Sequence, residues 1–342
     1  MGGHTDYNEG LVLAMAIDRE CVVAASPRPD RLVRLRSLDV PGGEVAFDPG
    51  ADEPRAVAPA WGRYVAGVAA ALAERGRPAA GLDAVLASSV PIGAGLASSA
   101  ALEVTCALAL CAVAEWTLPL AELAIACQDG EHRATGVPCG VMDQLTSLAG
   151  REGAALMIDC RTLAVDPVSL PDDLAVVVVH SGLTRTLAGS AYAERRAACE
   201  RIAAGLGIRA LRDAAPNQVR DDPIGRHVVS ENARVFATAD ALRTDDRDAL
   251  ARLFAESHGS LRDDYRVSTP ELDLLVAAFR DAGATGARLT GAGFGGAVVA
   301  LAARDSADAV ARAAADRYAA ETGLAPKPFV ASASAGAGPL AR

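Results

Sequence analysis

The stretch that most constrains this chain is "SSVPIGAGLASSAALEVTCALALCAVAE", residues 88–115, a glycine-rich loop running into a strongly apolar helix. Such a helix belongs in a core, and the composition can supply one. Of 342 residues, 51% are hydrophobic and 22% are charged, so global disorder is excluded. Gly93 and Gly95 let the backbone approach a bulky ligand. Ser98 and Ser99 stand where the helix starts, and its dipole points at the loop. Together these features read as an anion site with phosphate as the natural guest. An ordinary glycine turn with a serine N-cap is the competing reading.

A Walker P-loop needs a lysine beside its Ser/Thr. The chain has one lysine, Lys327, far from this loop, so that reading is excluded. Neutralisation of a phosphate must come from a metal, from arginine and from the helix N-terminus. The net charge of −10 argues against a general nucleic-acid or membrane-surface binder, yet allows one small anion in a local positive pocket. No signal peptide or membrane-spanning segment is read. Seven cysteines without a CxxC pair read as reduced thiols in a cytoplasmic protein.

The length favours about two domains. Strands are expected at "LVLAMAID", "ECVVAAS", "LVRLRSLD", "EVAFDPG" and "GLDAVLASSV", with a helix from Trp61 to about Arg75. "LAELAIACQDGEHRATG" reads as a further helix, and "GAALMIDC" and "LAVVVVHSG" as buried strands. The chain then reads as mostly helical from Tyr192 to Phe279. It closes with strand, glycine loop, strand, the helix "SADAVARAAADRYAAET", and a last strand at "PKPFVASAS". The tail "AGAGPLAR" reads as disordered. No internal repeat is seen. This uneven clustering of strands and helices indicates α+β rather than regular βαβ winding.

"GAGFGG" (291–296) formally matches GxGxxG, but "AVVALAA" after it reads as a strand, so a dinucleotide fold is not supported. In "CQDGEHRATGVPCGVMDQLTS", Glu131 and Asp143 lie twelve residues apart. A carboxylate at a helix end could hold Mg²⁺, and one beside a glycine turn could take a proton from a hydroxyl. Two solvated surface carboxylates are the bland alternative. His132 lacks HExxH spacing and says little about zinc.

In order along the chain, "GGHTDYNEG", "PIGAGLASSAA", "EHRATGVPCGVMDQ", "IDCRTL", "YAERRAACE", "RHVVSENAR", "SHGSLRDDYRVSTPELD" and "TGAGFGG" resemble galactokinase segments. They span Gly2 to about Ala300, and their joint occurrence identifies the chain as similar to the galactokinase branch of the GHMP small-molecule kinases. The resemblance implies a two-domain α+β fold, residues 1–168 resembling ribosomal protein S5 domain 2 and 169–333 ferredoxin-like, with 334–342 a disordered tail. It implies an active site in the cleft between them and transfer of a phosphoryl group from ATP to the anomeric C1 hydroxyl of D-galactose. Ser98 or Ser99 with Glu131 would hold Mg²⁺, and Gly93, Gly95, Ser98, Ser99 and Trp61 would hold ATP. Asp143 matches the catalytic aspartate, as a base or as a group that orients the hydroxyl. His4, Asp6, Gly140 and Tyr192 match positions that contact the sugar. No nucleic-acid or membrane partner is implied, and a monomer or weak oligomer is expected.

Two departures stand out. Family members carry a segment close to "PGRVNLxGEHTDYN", whose arginine partners the aspartate, and that arginine would fall upstream of Met1. The chain is therefore expected to start late, lacking a strand and a cation, and to be less stable and slower than a longer parent. An arginine stabilising phosphoryl transfer is worth about 10³-fold or more in rate. Gly3 stands where galactokinases usually have Glu, which is expected to bind a hydroxyl toward C6. A sugar differing at C6, such as L-arabinose, is thus the alternative substrate. A weakly active ATP- and sugar-binding sensor is a second alternative. The complete length of "GLASSAA", with Ala97 in place of a commonly seen serine, favours an enzyme.

Overall fold

The computed structural model describes residues 1–40, 42–183 and 188–340, with 188–190 as backbone only. The elements run β1 (Leu11–Ala14), β2 (Cys21–Arg28), β3 (Val33–Ser37), β4 (Glu44–Phe47), α1 (Gly62–Glu74), β5 (Gly81–Ser88), α2 (Ser98–Val113), α3 (Leu120–Thr135) and α4 (Met142–Ala149). They continue with β6 (Ala154–Asp159), β7 (Val165–Ser169), β8 (Leu174–His180), α5 (Ala188–Leu206), α6 (Pro223–Arg243), α7 (Arg247–Asp263) and α8 (Pro270–Asp281). The last are β9 (Gly286–Thr290), β10 (Ala297–Ala303), α9 (Ala307–Thr322) and β11 (Lys327–Ala331). Contacts group Met1–Asp18, Ile92–Leu96 and Arg151–Ser334 into one compact unit, and Arg19–Pro91, Ala97–Gly150 and the residues from Ala335 into a second.

The second unit holds the sheet β2-β5-β3-β4, in which β3 and β5 are parallel and the other pairs antiparallel. In β3, Val33 and Leu35 are buried while Arg34 and Arg36 are exposed, the alternation of a sheet with one covered face. The apolar α2 touches α1, α3, α4 and β2, so nearly every face of it meets protein. That is why "AALEVTCALALC" carries no polar stripe. Where α1 and α3 cross, Gly67 and Gly130 bring the backbones together; a Cβ on Gly67 would sit 2.1 Å from the Gly130 carbonyl oxygen. At the chain's end, the Gly336 and Ala337 N–H groups donate to the carbonyls of Gly150 and Ser147. Residues 341 and 342 of the expected tail lie outside the described residues.

In the first unit, β11, β8, β10 and β9 form an antiparallel sheet. Counted along the chain this is the order 4-1-3-2 of a split βαβ arrangement. The run "LAVVVV" of β8 serves two cores, as a strand covered on both faces must. Ala175, Val177 and Val179 pack with Leu272 and Leu275 of α8 and Ala311 and Ala314 of α9. Leu174, Val176 and Val178 pack with Val235 of α6, Leu250 and Leu253 of α7, and Leu11 and Leu13 of β1. A second sheet, β1-β6-β7, is antiparallel.

Two elements escape the sequence reading. The strand β7 carries Pro167, which breaks the strand signal, and it occupies a sheet edge, where a missing donor is tolerated. The helix α4 is short and starts without a capping side chain, so it gives little helix signal.

The α1–α3 crossing can be tested by contrast with an open helical glycine. Gly67→Ala should lower stability by about 1–3 kcal/mol, overpacking outweighing the gain in helix propensity. Gly205→Ala in α5, where nothing lies within 4 Å of an added Cβ, should raise it by up to about 1 kcal/mol. Urea unfolding of both variants reads the two signs.

Candidate active site

Within the glycine loop, Gly93 and Gly95 have φ of +74° and +75°, and nothing lies within 4 Å of a Cβ added to Gly93. Ala97 then adopts φ +57°, a left-handed conformation that costs a non-glycine residue about 1–2 kcal/mol. It serves as the N-cap of α2 and makes no side-chain cap hydrogen bond to the first N–H groups of that helix. An uncapped N-terminus with two hydroxyls beside it suits an anion.

Deeper in the second unit, three helices contribute to one polar cluster. Gln144, the residue after Asp143 in the first turn of α4, is fully buried. Its amide Nε2 donates to Glu103 Oε2 of α2 at 2.9 Å and to Glu131 Oε2 of α3 at 2.8 Å. The Cys139 thiol donates to the same Glu131 oxygen at 3.2 Å. Among the described residues every hydrogen bond to the Glu131 carboxylate falls on Oε2, leaving Oε1 for another ligand. Glu103 is fully buried, and its Oε1, like Gln144 Oε1, has no hydrogen-bond partner among the described residues. Burial first, then the charges of Glu131 and Asp143, push the Glu103 carboxyl well above its ordinary range. Both effects favour its protonated form.

Among the described residues no three His, Cys, Asp or Glu side chains group to hold a metal by themselves. The donors that are present are hard oxygens, the free Glu131 oxygen and the serine hydroxyls. They fit Mg²⁺, which takes few protein ligands and completes its shell with water and phosphate. The Nε2 of His132 bonds the Cys139 carbonyl at 2.9 Å and helps hold the 136–140 turn. Gly140 is buried in that turn. Trp61 is the N-cap of α1, and its indole N–H is buried without an acceptor.

In the first unit the N-terminal motif closes into a knot. Gly2 and His4 have φ of +87° and +65°, followed by the single turn Asp6–Asn8. The Asn8 amide donates to the His4 carbonyl at 3.0 Å, and the Thr5 hydroxyl lies between the carbonyls of Gly2 and Leu11 at 2.8 and 2.6 Å. His4 is buried, with Nε2 3.1 Å from the Ala292 carbonyl and Nδ1 2.9 Å from the Tyr7 hydroxyl. The carbonyl can only accept, which fixes the tautomer: Nε2–H donates and Nδ1 accepts. The chain of donors then runs one way, from the Cys199 thiol to Tyr265 (3.2 Å), to Tyr7 (2.7 Å), to His4. Tyr192 sets its ring 5.6 Å from His4 and 5.1 Å from Tyr7, and Asp6 is half-buried in the turn beside them.

Beneath the motif lies a buried ionic core. Glu231 accepts from the Gly2 N–H, the Ser257 hydroxyl and Arg234, and faces Arg288 at 3.6 Å. Burial acts to raise its pKa, but Arg288, His227 and Arg234 together hold it well below the usual carboxylate range. The His227 Nε2 bonds the Gly3 carbonyl at 2.9 Å. At Gly3, an added Cβ would sit 2.9 Å from Arg288 Nη2 and 3.3 Å from Leu261, so a side chain there requires the guanidinium to shift. The third glycine stretch joins β9 to β10, with Phe294 at φ +57° and its N–H on the Val267 carbonyl at 2.8 Å. Two antiparallel strands flank it, as expected, and no dinucleotide crossover exists there.

Thus Asp143 and Glu131 fall in one unit with Ser98 and Ser99, and His4, Asp6 and Tyr192 in the other. Sequence reasoning missed Glu103, Gln144, Glu231 and Arg288. A lone carboxylate inside an apolar helix, "AALEV", was the available signal for Glu103.

The chain matches three families: GHMP kinases N terminal domain over residues 63–151, GHMP kinases C terminal over 238–320, and the galactokinase galactose-binding signature over 1–27. A galactokinase of Chloroflexus aurantiacus is 45% identical, with 98% of this chain and 90% of that protein covered. This chain belongs to the galactokinase family. A galactokinase of Roseiflexus sp. is 44% identical, covering 99% and 90% of the two chains. The crystal structure of Lactococcus lactis galactokinase complexed with galactose aligns with a TM-score of 0.91 at 32% identity, covering 98% of this chain and 91% of that one. A mevalonate kinase of L. major, TM-score 0.64 at 20% identity over 99% and 94%, shares the fold alone. The two-domain GHMP kinase fold expected from the resemblance is thereby met.

The buried imidazoles give the family's first motif a pH dependence. Burial, then the charge of His227, lowers His4 from 6.5 to about 3, and burial likewise lowers His227. Below pH 6.5 the unfolded chain binds protons that the folded chain refuses, so stability falls as pH drops from 6.5 toward 3. The His4 share of that slope should approach about 1.4 kcal/mol per pH unit. His4→Gln should flatten the acid-side slope by about that amount, read from urea midpoints between pH 8 and 5.

Proposed function

We propose that this chain transfers the γ-phosphoryl group of ATP to the C1 hydroxyl of D-galactose, giving galactose 1-phosphate. One observation carries the reading: the galactose-binding signature at residues 1–27 sits in a chain aligned nearly end to end with galactokinases. The knot at His4–Asn8 is already fixed by buried hydrogen bonds, which suits a rigid sugar site. We assign the Asp6 carboxylate, the Gly140 backbone and the Tyr192 ring to the sugar. His4, with both ring nitrogens engaged, contributes by holding that loop in place.

Phosphoryl transfer depends on alignment and charge neutralisation more than on covalent help from the enzyme. The uncapped start of α2 and the Gly93–Gly95 backbone suit the phosphates, and Trp61 is assigned to the adenine. Glu131, with Ser98 or Ser99, would hold Mg²⁺, which when bound supplies positive charge to the phosphates. Asp143, in the first turn of α4, takes or orients the C1 hydroxyl proton. No described helix is long and apolar enough to cross a membrane, and we place the reaction in the cytoplasm, where ATP is at hand.

Gly3 favours a second reading, a sugar lacking the C6 hydroxyl. Glycine offers no side-chain acceptor there, and a Cβ added at Gly3 would lie 2.9 Å from Arg288 Nη2.

A coupled ADP-release assay with Mg–ATP tests both, using D-galactose and L-arabinose in parallel. Turnover of galactose is expected, with kcat falling about 10²–10⁴-fold in Asp143→Asn while ADP affinity holds. Preference for arabinose would replace the substrate, and an Asp143→Asn variant at full kcat would overturn the role given to that carboxylate.

A further inference from the structure

We infer that Gln144, anchored by Glu103, is a positioning residue that aims the Glu131 carboxylate at the nucleotide-bound metal. This rests on the assignment of Glu131 to the metal made above. The observation is the division of one buried amide between two carboxyl groups on different helices. Both N–H bonds of Gln144 are used, one on Glu103 Oε2 of α2 at 2.9 Å and one on Glu131 Oε2 of α3 at 2.8 Å. Gln144 and Glu103 are each fully buried, so neither anchor competes with water.

The residue type follows from this geometry. Two acceptors converge on one point, and only a side chain with two donors satisfies both. A glutamate at 144 would set a third carboxyl against two others. A leucine or methionine would fill the volume and leave Glu131 free to change rotamer. The bond also falls on one oxygen alone. With Gln144 and Cys139 both on Oε2, the Glu131 carboxylate is turned so that Oε1 takes no hydrogen bond from the described residues. A purely structural amide would need only its buried partner, Glu103; the second bond reaches the half-buried Glu131. Gln144 also follows Asp143 directly in α4. The same amide therefore ties the helix carrying the hydroxyl-facing carboxylate to the one holding the metal ligand. Groups that orient a metal ligand in this way typically change metal affinity 10- to 100-fold when removed.

The test is manganese(II) binding in the presence of ADP, followed by the EPR signal of free Mn²⁺, on the full chain. Glu131→Gln should abolish tight Mn²⁺ binding. Gln144→Met should weaken it about 10- to 100-fold, with metal-free ADP affinity unchanged and the KM for Mg–ATP raised more than kcat is lowered. Should Gln144→Met fail to fold, Glu103→Leu, an apolar exchange in an apolar helix, removes the anchor and should weaken Mn²⁺ in the same direction. Glu103→Gln restores an acceptor oxygen and should recover most of that loss. Mn²⁺ affinity within threefold of wild type in a folded Gln144→Met or Glu103→Leu, with Glu131→Gln defective, overturns the positioning role alone. Undiminished binding in Glu131→Gln overturns the metal assignment and the inference with it.

Discussion

Burial of α2 is the constraint on which the second unit depends. A helix without a polar stripe must be enclosed, and α1, α3, α4 and the strand β2 enclose it. Enclosure at this density demands small residues at the crossings, hence Gly67 against Gly130. It also carries Glu103 into the interior, where an isolated charge is prohibitively costly. The cost is met in two ways: burial shifts the carboxyl toward its protonated form, and it takes a hydrogen bond from Gln144. The packing of an apolar helix thereby determines where the amide beside Asp143 stands.

In the first unit the governing interaction is different in kind. A left-handed histidine and a left-handed glycine fold the N-terminal motif back on itself, and neither conformation is favourable for a free chain. It persists because groups of the knot find partners beyond it: the Gly2 N–H on Glu231, the Gly3 carbonyl on His227, and the His4 ring on the Ala292 carbonyl. The motif is thus one face of a buried polar network whose other members come from α6, α7 and β9. Such networks stabilise only when nearly complete. Here the Arg288 Nε is among the few atoms left unmatched.

Much of this was legible in the residues. The glycine loop and its helix, the valine-rich strand β8, the strand after "GAGFGG" and the carboxylates Glu131 and Asp143 all stood out from pattern or motif. The strand β7 did not, because Pro167 masks an edge strand that only a neighbour can justify. Nor did α4, whose eight residues carry too short a period to separate from a turn. The partners of the site were hidden for a further reason. Gln144 lies far in sequence from Glu103, and Glu231 from Gly2, Ser257 and Arg288, and no local spacing encodes such pairs.

By itself the sequence determined the element types, the apolar core-forming segments, the exclusion of a lysine P-loop and the galactokinase resemblance, since each of these depends on local composition and order. Tertiary structure alone decided that Met1–Asp18 packs with residues beyond Arg151, that the two ring nitrogens of His4 are committed to Tyr7 and Ala292, and that Gln144 is shared between two carboxyl groups. The physical reason is common to all three. Hydrogen bonds and ion pairs strengthen on leaving water, and which groups leave water together is settled only when distant segments close on one another.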